Sequence, residues 1–481
     1  MKKLLCKFLL IILISSFSFA ANYYVSPEGN NSNPGTKEKP WKTIQYGVDS
    51  LQPGDRLFIM KGVYEENILI HTSGKENESI TISSLENQKV ILNGDIEFAR
   101  GVCYIEIYNI NIQNFPGWGV FLRGENHHIK LYGLRINGGE SGIVLTYGYS
   151  GENPREGPVS DIEIINCTIS NCLYTGVDCT PGPCNRIKLI NLEIYGCGLS
   201  GGASFGADGI AVERGRDIIV EACYIHDNAG DGIDLNSRDF EGNVSGIVVR
   251  RNRIVRNYLN GIKLWAGGRM ENNILWGQGN TPLVIGDYPG KYEVINNTIA
   301  YNMWDPSYSI RNYSFVAAYP DNTGKSSTID LTLINNIFAF NTGPEVGSPT
   351  GIYLGEGVNL IREGYNLFWS RENGEIQAGE NWFGRKEILD GTWAKWSKQG
   401  KGDIASDPKF VSPWPDVDLH LNSESSAIDA GTLQDAPSVD NMCMVRPAGK
   451  GVDIGAYEHN STLDPECGSF FKRKKKGTQR R

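Results

Sequence analysis

The sequence lacks the residue patterns of several common functional sites. It has six histidines among 481 residues, and its ten cysteines include no Cys-x-x-Cys pair, so the usual ligand spacings of a zinc site are missing. Lys and Arg (46) are outnumbered by Asp and Glu (55), giving a formal net charge of −9. This balance argues against a nucleic-acid partner, because such proteins neutralise phosphates with basic residues. Beyond the N-terminus no apolar run approaches the roughly 20 residues of a transmembrane helix, so we expect no membrane span.

The first twenty residues have the pattern of a secretory signal. A Lys-Lys pair precedes a short apolar run over residues 8–14, and small residues lie at the −3 and −1 positions of a cleavage site after Ala20. We therefore expect residues 1–20 to be a bacterial-style signal peptide. The mature chain would be secreted or placed at the cell surface, and we expect it to act as a monomer.

Removing the signal leaves nine cysteines, an odd number that predicts at least one free or intermolecular thiol. Cys179 and Cys184 are close enough in sequence to close a small loop, and Cys443 and Cys467 could join two parts of the C-terminal region. Cys167 falls at a repeat position where a small buried apolar residue is expected.

One short apolar pattern with a central Asn recurs along the chain at spacings from about twenty residues upward, the length of one β-solenoid coil. The clear copies are at 164–169, 189–194, 294–299 and 333–338, and degenerate copies are at 220–225, 249–254 and 270–275. A solenoid also accommodates a chain of this length, because each coil contacts only its neighbours. We predict an all-β fold, a parallel β-helix over residues 21–369.

The asparagines of this pattern predict an internal ladder. Asn tolerates left-handed backbone and bonds neighbouring main chain. Stacked coil on coil, four of them would satisfy buried polar groups along the helix axis. These are Asn252, Asn273, Asn297 and Asn336.

A second pattern, x-Gly-(Ile/Val)-x-(Leu/Val/Cys), follows each copy of the first. Its third and fifth residues are apolar and should point inward, so by the two-residue period of a strand the fourth points outward. The outward residues, in chain order, are Phe121, Val144, Asp178, Ala211, Asp234 and Lys263.

The flanking regions are less regular. Residues 41–51 have helix-compatible spacing and predict a helix that caps the open N-terminal end of the solenoid. After the solenoid, residues 370–460 are expected to form a C-terminal capping region. The last segment, 461–481, carries a basic run at 472–476; it is either a solvated tail or a weak contact with an anionic envelope.

Four of the polar residues fall on three successive coils. Asp208, Asp231 and Asp234 occupy two consecutive coils, and Lys263 occupies the next. Because adjacent coils lie about 4.8 Å apart, the carboxylates should converge, and converging carboxylate oxygens are the ligands that Ca²⁺ prefers. A cation beside Lys263 would lower the pKa of the lysine, so that the neutral amine could act as a general base. These parts describe β-elimination from a uronic acid, in which the base removes the C5 proton and the C4 glycosidic oxygen leaves.

The motifs at 206–210, 230–235 and 261–264 resemble the calcium and base motifs of the family-nine polysaccharide lyases, which are right-handed parallel β-helix pectate lyases. By this resemblance Asp208, Asp231 and Asp234 would be calcium ligands, and Lys263 the Brønsted base. The family pattern has a further Asp where this chain has Gly230. That departure removes one ligand, and the nearby Asn228 is a candidate replacement.

The start of the chain and its C-terminal region carry resemblances of their own. The opening segments at 23–27, 33–36 and 40–45 are similar to the usual start of this secreted group, and 453–458 resembles the C-terminal region of bacterial surface β-helix proteins. Both resemblances imply architecture and export rather than specificity for pectin.

A lyase must also hold an acidic polysaccharide. Arg238, Arg269 and Lys291 are candidate carboxylate clamps, since Arg suits bidentate carboxylate contact, and Trp265 is a candidate stacking surface. Three hypotheses follow: a calcium-dependent pectate-type lyase, a non-catalytic surface β-helix that binds glycan or serves the envelope, and a glycoside hydrolase. The hydrolase needs a pair of carboxylates, and the column offers only Asp178 and Asp234, separated by Ala211.

Overall fold

The computed structural model describes residues 20–146, 157–199, 207–235, 246–265, 267–286, 288–302, 315–317, 329–340, 351–370, 375–412 and 416–467. Residues 1–19 of the predicted signal peptide, Arg238 and the basic run at 472–476 lie outside these ranges. Within them, strands dominate and stack into three long sheets, so the predicted parallel β-helix is confirmed. No helix in these ranges combines the length and the apolar character needed to cross a bilayer.

From the second coil onward, each coil contributes one strand to each of the three sheets. The first sheet contains Asn22–Val25, Arg56–Ile59, Ile80–Ser84, Cys103–Tyr108, His127–Tyr132, Val159–Ile165, Cys184–Ile190, Gly215–Glu221, Val248–Arg250, Gly268–Glu271, Gly290–Ile295, Ile329–Ile334 and Val358–Gly364. The second sheet contains Gly62–Glu65, Val90–Asn93, Asn111–Gln113, Arg135–Asn137, Thr168–Ser170, Glu193–Tyr195, Tyr224–His226, Arg253–Val255, Ile274–Trp276, Thr298–Ala300, Ile337–Ala339 and Leu367–Trp369.

The third sheet follows the second in each coil, and its outer face carries the residues of interest. It contains Ile68–Ile70, Ile96–Phe98, Trp118–Leu122, Ser141–Leu145, Val177–Cys179, Ile210–Val212, Ile233–Leu235, Ile262–Leu264, Leu283–Ile285, Phe315–Ala317, Ile352–Leu354, Ile376–Ala378 and Asn381–Phe383. Its last pair of strands is antiparallel. A separate antiparallel pair, Phe410–Ser412 with Asp418–Leu421, lies further along the chain.

The core runs along the axis because the parallel pairing is in register. Ile129, for example, is aligned with Ile105 on the preceding coil and with Ile162 on the following one, and all three are at most 1% exposed. Alternate residues of each strand point inward, so like stacks on like and each coil buries its apolar face only against its neighbours.

The predicted asparagine ladder is present inside the helix. The Nδ2 amide of each rung donates to the Oδ1 of the next at 3.0–3.1 Å, through Asn252, Asn273, Asn297, Asn336 and finally Asn366. Each Oδ1 also accepts the backbone N–H of the preceding rung. The ladder ends where the backbone N–H of Asn366 donates to Asp403 Oδ1 at 2.8 Å.

A second internal ladder, which the sequence reasoning missed, runs along the next turn. Asn228 Nδ2 donates to Asn257 Oδ1 at 3.0 Å, and Asn257 Nδ2 donates to Gln278 Oε1 at 3.2 Å. The backbone N–H of Gln278 then donates to Asn302 Oδ1. The two ladders stiffen the turns on either side of the second sheet over the coils that carry the candidate site.

The N-terminal segment contains the predicted helix in a shorter form. Helix α1 spans Ile44–Ser50, and Thr43 caps it by accepting the backbone N–H of Tyr46. Its buried Ile44 and Val48 join the core of the solenoid, so the amphipathic pattern is explained by packing. Its role as an end cap stays a prediction.

The region after the solenoid divides into two parts. Helices α2 (Arg385–Leu389) and α3 (Thr392–Ser397) pack at the end of the core, where Trp393 is 1% exposed and its ring centroid lies 5.1 Å from that of Phe383. Residues 416–467 instead return along the outside of earlier coils. The contacts are backbone-directed: Asn272 donates to Val439 O at 2.7 Å, and Asn296 to Asp453 O at 3.0 Å.

The two disulfides predicted from spacing are formed, Cys179 with Cys184 and Cys443 with Cys467. Cys167 is buried, as expected for a small apolar repeat residue. The second disulfide lies within the returning segment, beside Arg251.

A carboxyl pair at the end of the first ladder, buried Glu363 and partly buried Asp403, gives a stability prediction. Glu363 and Asp403 share the indole N–H of Trp393, with both oxygens 3.2 Å from the nitrogen. Burial is the largest cause of a raised pKa in both groups. It raises the pKa of Asp403 to about 6. It raises the pKa of Glu363 well above the usual value, and the charge of Asp403 raises that pKa further. These two carboxyl groups therefore bind protons more tightly in the folded state than in the unfolded state. Their contribution to stability is complete below about pH 4 and is lost as pH rises through 6 and beyond.

We expect Glu363→Gln to reduce this alkaline loss. Between pH 5 and pH 9 the free energy of unfolding should decrease in both proteins. The decrease should be smaller in the variant than in the wild type, by on the order of 2 kcal/mol. Denaturant titrations across that range measure the difference, and the exposed Glu356→Gln is the matched control. Parallel pH profiles for Glu363→Gln and wild type would show that the carboxyl pair carries no such linkage.

Candidate functional site

The predicted outward column lies on the outer face of the third sheet. Asp178 is aligned with Ala211, Ala211 with Asp234, and Asp234 with Lys263. Each is the central residue of a three-residue strand whose two neighbours are buried. The alternation of the sequence therefore places these four side chains in one row, one coil apart.

Two further carboxylates lie at the turn that leads into this sheet. Asp208 and Asp231 each precede a strand by two residues, and the backbone N–H of Asp231 donates to Asp208 Oδ1 at 2.7 Å. Asp231 Oδ1 in turn accepts both the backbone N–H and the side-chain amide of Asn260, each at 2.8 Å. Bonds from one coil to the next thus fix the orientation of both carboxylates, which are 7% and 3% exposed.

Lys263 joins the turn to the column. Its Nζ lies 2.9 Å from Asp231 Oδ2 and 2.8 Å from Asp234 Oδ2, and 4.7 Å from the ring centroid of Trp265. The lysine side chain is 18% exposed, so solvent or a ligand reaches it. The structure brings Lys263 together with Asp231, Asp234 and Trp265, and Asp208 is bonded to Asp231. The predicted convergence of the three carboxylates on one cation is not formed among these described residues.

The electrostatics of this cluster are those of partly buried, mutually repelling carboxylates. Burial raises the pKa of Asp208 well above its usual value, and the charges of Asp231 and Asp234 raise it further. Burial also raises the pKa of Asp234 to about 6, although Lys263 opposes the shift. For Lys263, burial lowers the pKa, but the two carboxylates outweigh it and raise the pKa above the usual lysine value. In this arrangement Lys263 is an ammonium, opposite to the direction predicted for a lysine beside a bound cation.

The donor set has the chemistry of a hard-cation site. All three acids offer only oxygen ligands, and Asp234 Oδ1 is buried with no hydrogen-bond partner among the described residues. The placement, however, is that of an ion pair. Within the described ranges no group of three or more His, Cys, Asp or Glu side chains could hold a metal ion as it stands, and Lys263 Nζ lies between Asp231 and Asp234. Binding of Ca²⁺ by these carboxylates requires the ammonium to move aside.

The structure leaves no room for a side chain at Gly230, where the family pattern has an Asp. A Cβ at this position would lie 2.4 Å from Asp208 Oδ1 and 2.7 Å from the carbonyl carbon of Ala207, so a side chain there would have to displace one of them. The prediction that Asn228 replaces the missing ligand is wrong. It is 0% exposed and belongs to the second internal ladder, where its Oδ1 accepts the backbone N–H of Cys197.

The candidate clamps are placed less favourably. Arg269 lies on the first sheet, where it contacts Glu271 at 2.5 Å, Glu293 at 3.4 Å and the backbone oxygen of Asp435 at 2.8 Å. Lys291 is also on the first sheet. The structure does not bring these two residues to Lys263, and Arg238 lies outside the described residues.

Sequence reasoning missed two residues that support the cluster. Asn260 occupies the same position before Gly in the repeat as Asp208 and Asp231, so the alignment of repeats could have identified it. Glu213 follows Ala211 by two residues, is 4% exposed, and its charge contributes to the raised pKa values of Asp178 and Asp234, for both of which burial is the largest cause. No repeat position signals Glu213, because the pattern ends at Val212.

Comparisons with known proteins agree with this architecture. Residues 23–172 match a family described as Pel9A-like, right handed beta helix region, and residues 157–299 match a right handed beta helix region family. Pectate lyase PEL9 of Emericella nidulans is 28% identical over 169 residues, covering 28% of this chain and 41% of that protein. The uncharacterized protein YwoF of Bacillus subtilis is 26% identical over 132 residues, covering 24% of this chain and 28% of that protein.

The structural comparison covers more of the chain. The crystal structure of pectate lyase Pel9A superposes with a TM-score of 0.51 at 16% sequence identity, covering 92% of this chain and 98% of that one, which shows the fold. The chain spans less than half the length of the curated relatives that it matches, from 13% to 41%. The coil geometry and these matches together show that the chain is a right-handed β-helix protein that is similar to pectate lyases.

Proposed function

We propose that the chain is a secreted polysaccharide lyase that cleaves a uronate-containing, pectate-like polysaccharide by β-elimination. Lys263 would be the base, and Asp208, Asp231 and Asp234 would hold Ca²⁺. The observation that carries the proposal is the register that places Lys263 beside Asp231 and Asp234 of the preceding coil, on the outer face of the third sheet. The similarity to pectate lyases supports the reaction class, and the pattern of residues 1–20 supports export.

β-Elimination requires a base next to C5, the carbon that carries the uronate carboxylate. The Lys263 amine takes the C5 proton, the electrons of that C–H bond form the C4–C5 double bond, and the C4 glycosidic oxygen leaves with its bonding pair. Before a cation binds, Asp231 and Asp234 hold the lysine at this point of the outer face, and Asn260 holds Asp231 in place. The face of Trp265, beside the lysine, would pack on a sugar ring.

A bound Ca²⁺ would supply two effects: it neutralises the uronate carboxylate, which acidifies the neighbouring proton, and it offsets the carboxylates that keep Lys263 protonated. Because those carboxylates raise the pKa of Lys263, activity should depend on a divalent cation and increase from neutral to alkaline pH.

The alternative is a non-catalytic β-helix that binds glycan at the surface. The ion-pair placement of Lys263 and the absence of a side chain at Gly230 favour it, because an ammonium held between two carboxylates is a binding element without a free amine. Activity measurements separate the two functions.

The test is a screen of polygalacturonate, alginate and glycosaminoglycans for the ultraviolet absorbance of unsaturated products. We expect a rise on at least one uronan with Ca²⁺, a loss of more than about tenfold with a chelator, and recovery on adding Ca²⁺ back, since the cation carries part of the transition-state charge. Chelator with excess Mg²⁺ is the control for ionic strength. No rise on any uronan at pH 7 to 10 would leave the glycan-binding function.

A further inference from the structure

Two buried cysteines continue the second internal ladder toward the N-terminus of the solenoid. The backbone N–H of Cys197 donates to Asn228 Oδ1 at 3.1 Å, as the backbone of an amide rung does. The backbone N–H of Gly198 donates to Cys172 O at 2.8 Å, and the equivalent bond on the next coil runs from Ala229 to Cys197 O. Cys172 therefore lies one coil before Cys197 in the same row, and the row passes from two thiols into the amides of the ladder.

The two thiols meet inside the solenoid. Both residues are 0% exposed, and their thiols hydrogen-bond to each other. A Cβ added to Gly142 would lie 3.5 Å from Cys172 Sγ, and one added to Gly176, on the next coil, would lie 3.6 Å from Cys197 Sγ. The two side chains thus occupy equivalent positions on adjacent coils, with their sulfurs in contact.

This placement suits a disulfide. The Cα atoms of bonded cysteines are usually about 4.4–6.8 Å apart, and residues in register on adjacent coils are about 4.8 Å apart. The chain already contains two disulfides, and disulfides form and persist in oxidising compartments. A pair of thiols in contact is subject to the same oxidation.

Two other buried cysteines of the same fold provide a contrast. Cys167 and Cys223 lie in the row of the first internal ladder, where Leu192 occupies the coil between them. Their sulfurs lie 3.4 and 3.3 Å from the backbone oxygens of Ile165 and Glu221. Two coils amount to roughly twice the 4.8 Å spacing, which exceeds the reach of a disulfide, so this pair stays reduced.

We infer that Cys172 and Cys197 are an oxidation site, and that under oxidising conditions they form a third disulfide that joins two successive coils. The oxidant would be a small disulfide such as glutathione disulfide. One protein thiolate attacks it, forming a mixed disulfide and releasing one reduced thiol, and the second protein thiolate displaces the other. The protein loses two electrons, and its two thiol protons pass to the two released thiols. Because both cysteines are fully buried, the exchange takes place before the coils close.

The cross-link would fix the chain next to the candidate functional site. Gly198, which follows Cys197, packs so closely on Ala207 that an added Cβ would lie 2.2 Å from the Ala207 Cβ. Ala207 directly precedes Asp208. A covalent bond at Cys197 would therefore anchor the backbone that Asp208 follows.

The experiment maps the thiols of protein refolded in a mixture of reduced and oxidised glutathione. Free thiols are alkylated in denaturant without reductant, and tryptic peptides are then analysed by mass spectrometry. The peptide of residues 156–186 contains Cys172 together with Cys167, and the peptide of residues 189–214 contains Cys197. The test variant is Cys172→Ser, and Cys167→Ser is the matched control in the same peptide.

The two peptides should be joined in most wild-type molecules and in Cys167→Ser, but not in Cys172→Ser, and a reductant should separate them. Alkylation of Cys172 and Cys197 in most wild-type molecules, with the other two disulfides formed, would overturn the inference. A link that persists in Cys172→Ser would also overturn it, because that link would run through Cys167. The wild-type map decides the question even if a variant fails to fold.

Discussion

Replacing Lys263 with alanine is expected to lower kcat of an active preparation by about 10²- to 10⁴-fold, the usual contribution of a positioned general base. Lys263→Arg should lose as much, although it keeps the positive charge, because a guanidinium does not deprotonate in proteins. The pair of variants therefore separates a base from a charge that merely neutralises Asp231 and Asp234. Initial rates of unsaturated product formation, with saturating Ca²⁺, measure the effect.

The control for this experiment is Lys188→Ala, which removes an ion-paired lysine from the first sheet, where it contacts Glu163 at 2.9 Å. It should leave the rate within about twofold, because surface ion pairs contribute little. Circular dichroism establishes that each variant is folded. A folded Lys263→Arg enzyme with wild-type activity would show that some other group removes the proton.

Interrupting the first internal ladder should cause the largest loss of stability. Asn273 Oδ1 accepts two bonds from Asn252, and its Nδ2 donates to Val249 O at 2.7 Å and to Asn297 Oδ1 at 3.0 Å. Asn273→Ala leaves several of these 0–1% exposed groups without a partner. Each orphaned buried group costs about 1–3 kcal/mol, so we expect a total loss of about 3–5 kcal/mol.

Urea titrations followed by circular dichroism measure this loss. The control is Asn359→Ala, which deletes an exposed amide bonded to Asp330 and should change the free energy of unfolding by less than about 1 kcal/mol. Equal effects from the two substitutions would mean that the internal amides contribute no more than a surface hydrogen bond.

The parts of the fold that repeat could be read from the sequence. The register of the third sheet followed from the x-Gly-(Ile/Val) pattern, and the first ladder followed from a recurring Asn with constant apolar flanks. The second ladder was missed because its rungs are chemically mixed, with Gln278 among the asparagines, so no single residue type marks the position. Hydrogen bonding along the axis requires only a side-chain amide in the same place on each coil.

The site could likewise be predicted from the sequence only for residues that occupy repeat positions. Residues at repeat positions, such as Asp231 and Lys263, are brought together as expected, because register converts spacing into distance. Arg269 and Lys291, predicted as carboxylate clamps, occupy no position of either repeat pattern, so periodicity does not predict which sheet they join, and both lie on the first sheet. The pKa direction of Lys263 depends on two carboxylates at 2.8–2.9 Å, a detail that strand periodicity does not contain.

The C-terminal region shows a limit of another kind. Residues 416–467 lie along earlier coils, where Arg446 donates to Asn272 Oδ1 at 3.3 Å. Such contacts join residues that are distant in sequence from the coils they cover, as in the bond from Asn272 to Val439. A region without periodic spacing carries no signal of what it packs against.

The mass of the cleavage products tests the central claim most directly. Elimination by Lys263 yields a fragment with a C4–C5 double bond, one water lighter than the corresponding product of hydrolysis. Mass spectrometry of products from any uronan that the protein cleaves should therefore show one unsaturated end for every bond broken, with saturated fragments only from the original non-reducing ends, and Lys263→Ala should abolish the unsaturated series. A digest without the unsaturated series, in which every product has the full mass of hydrolysis, would contradict the account, because it would require a hydrolytic carboxylate pair in place of a lysine base.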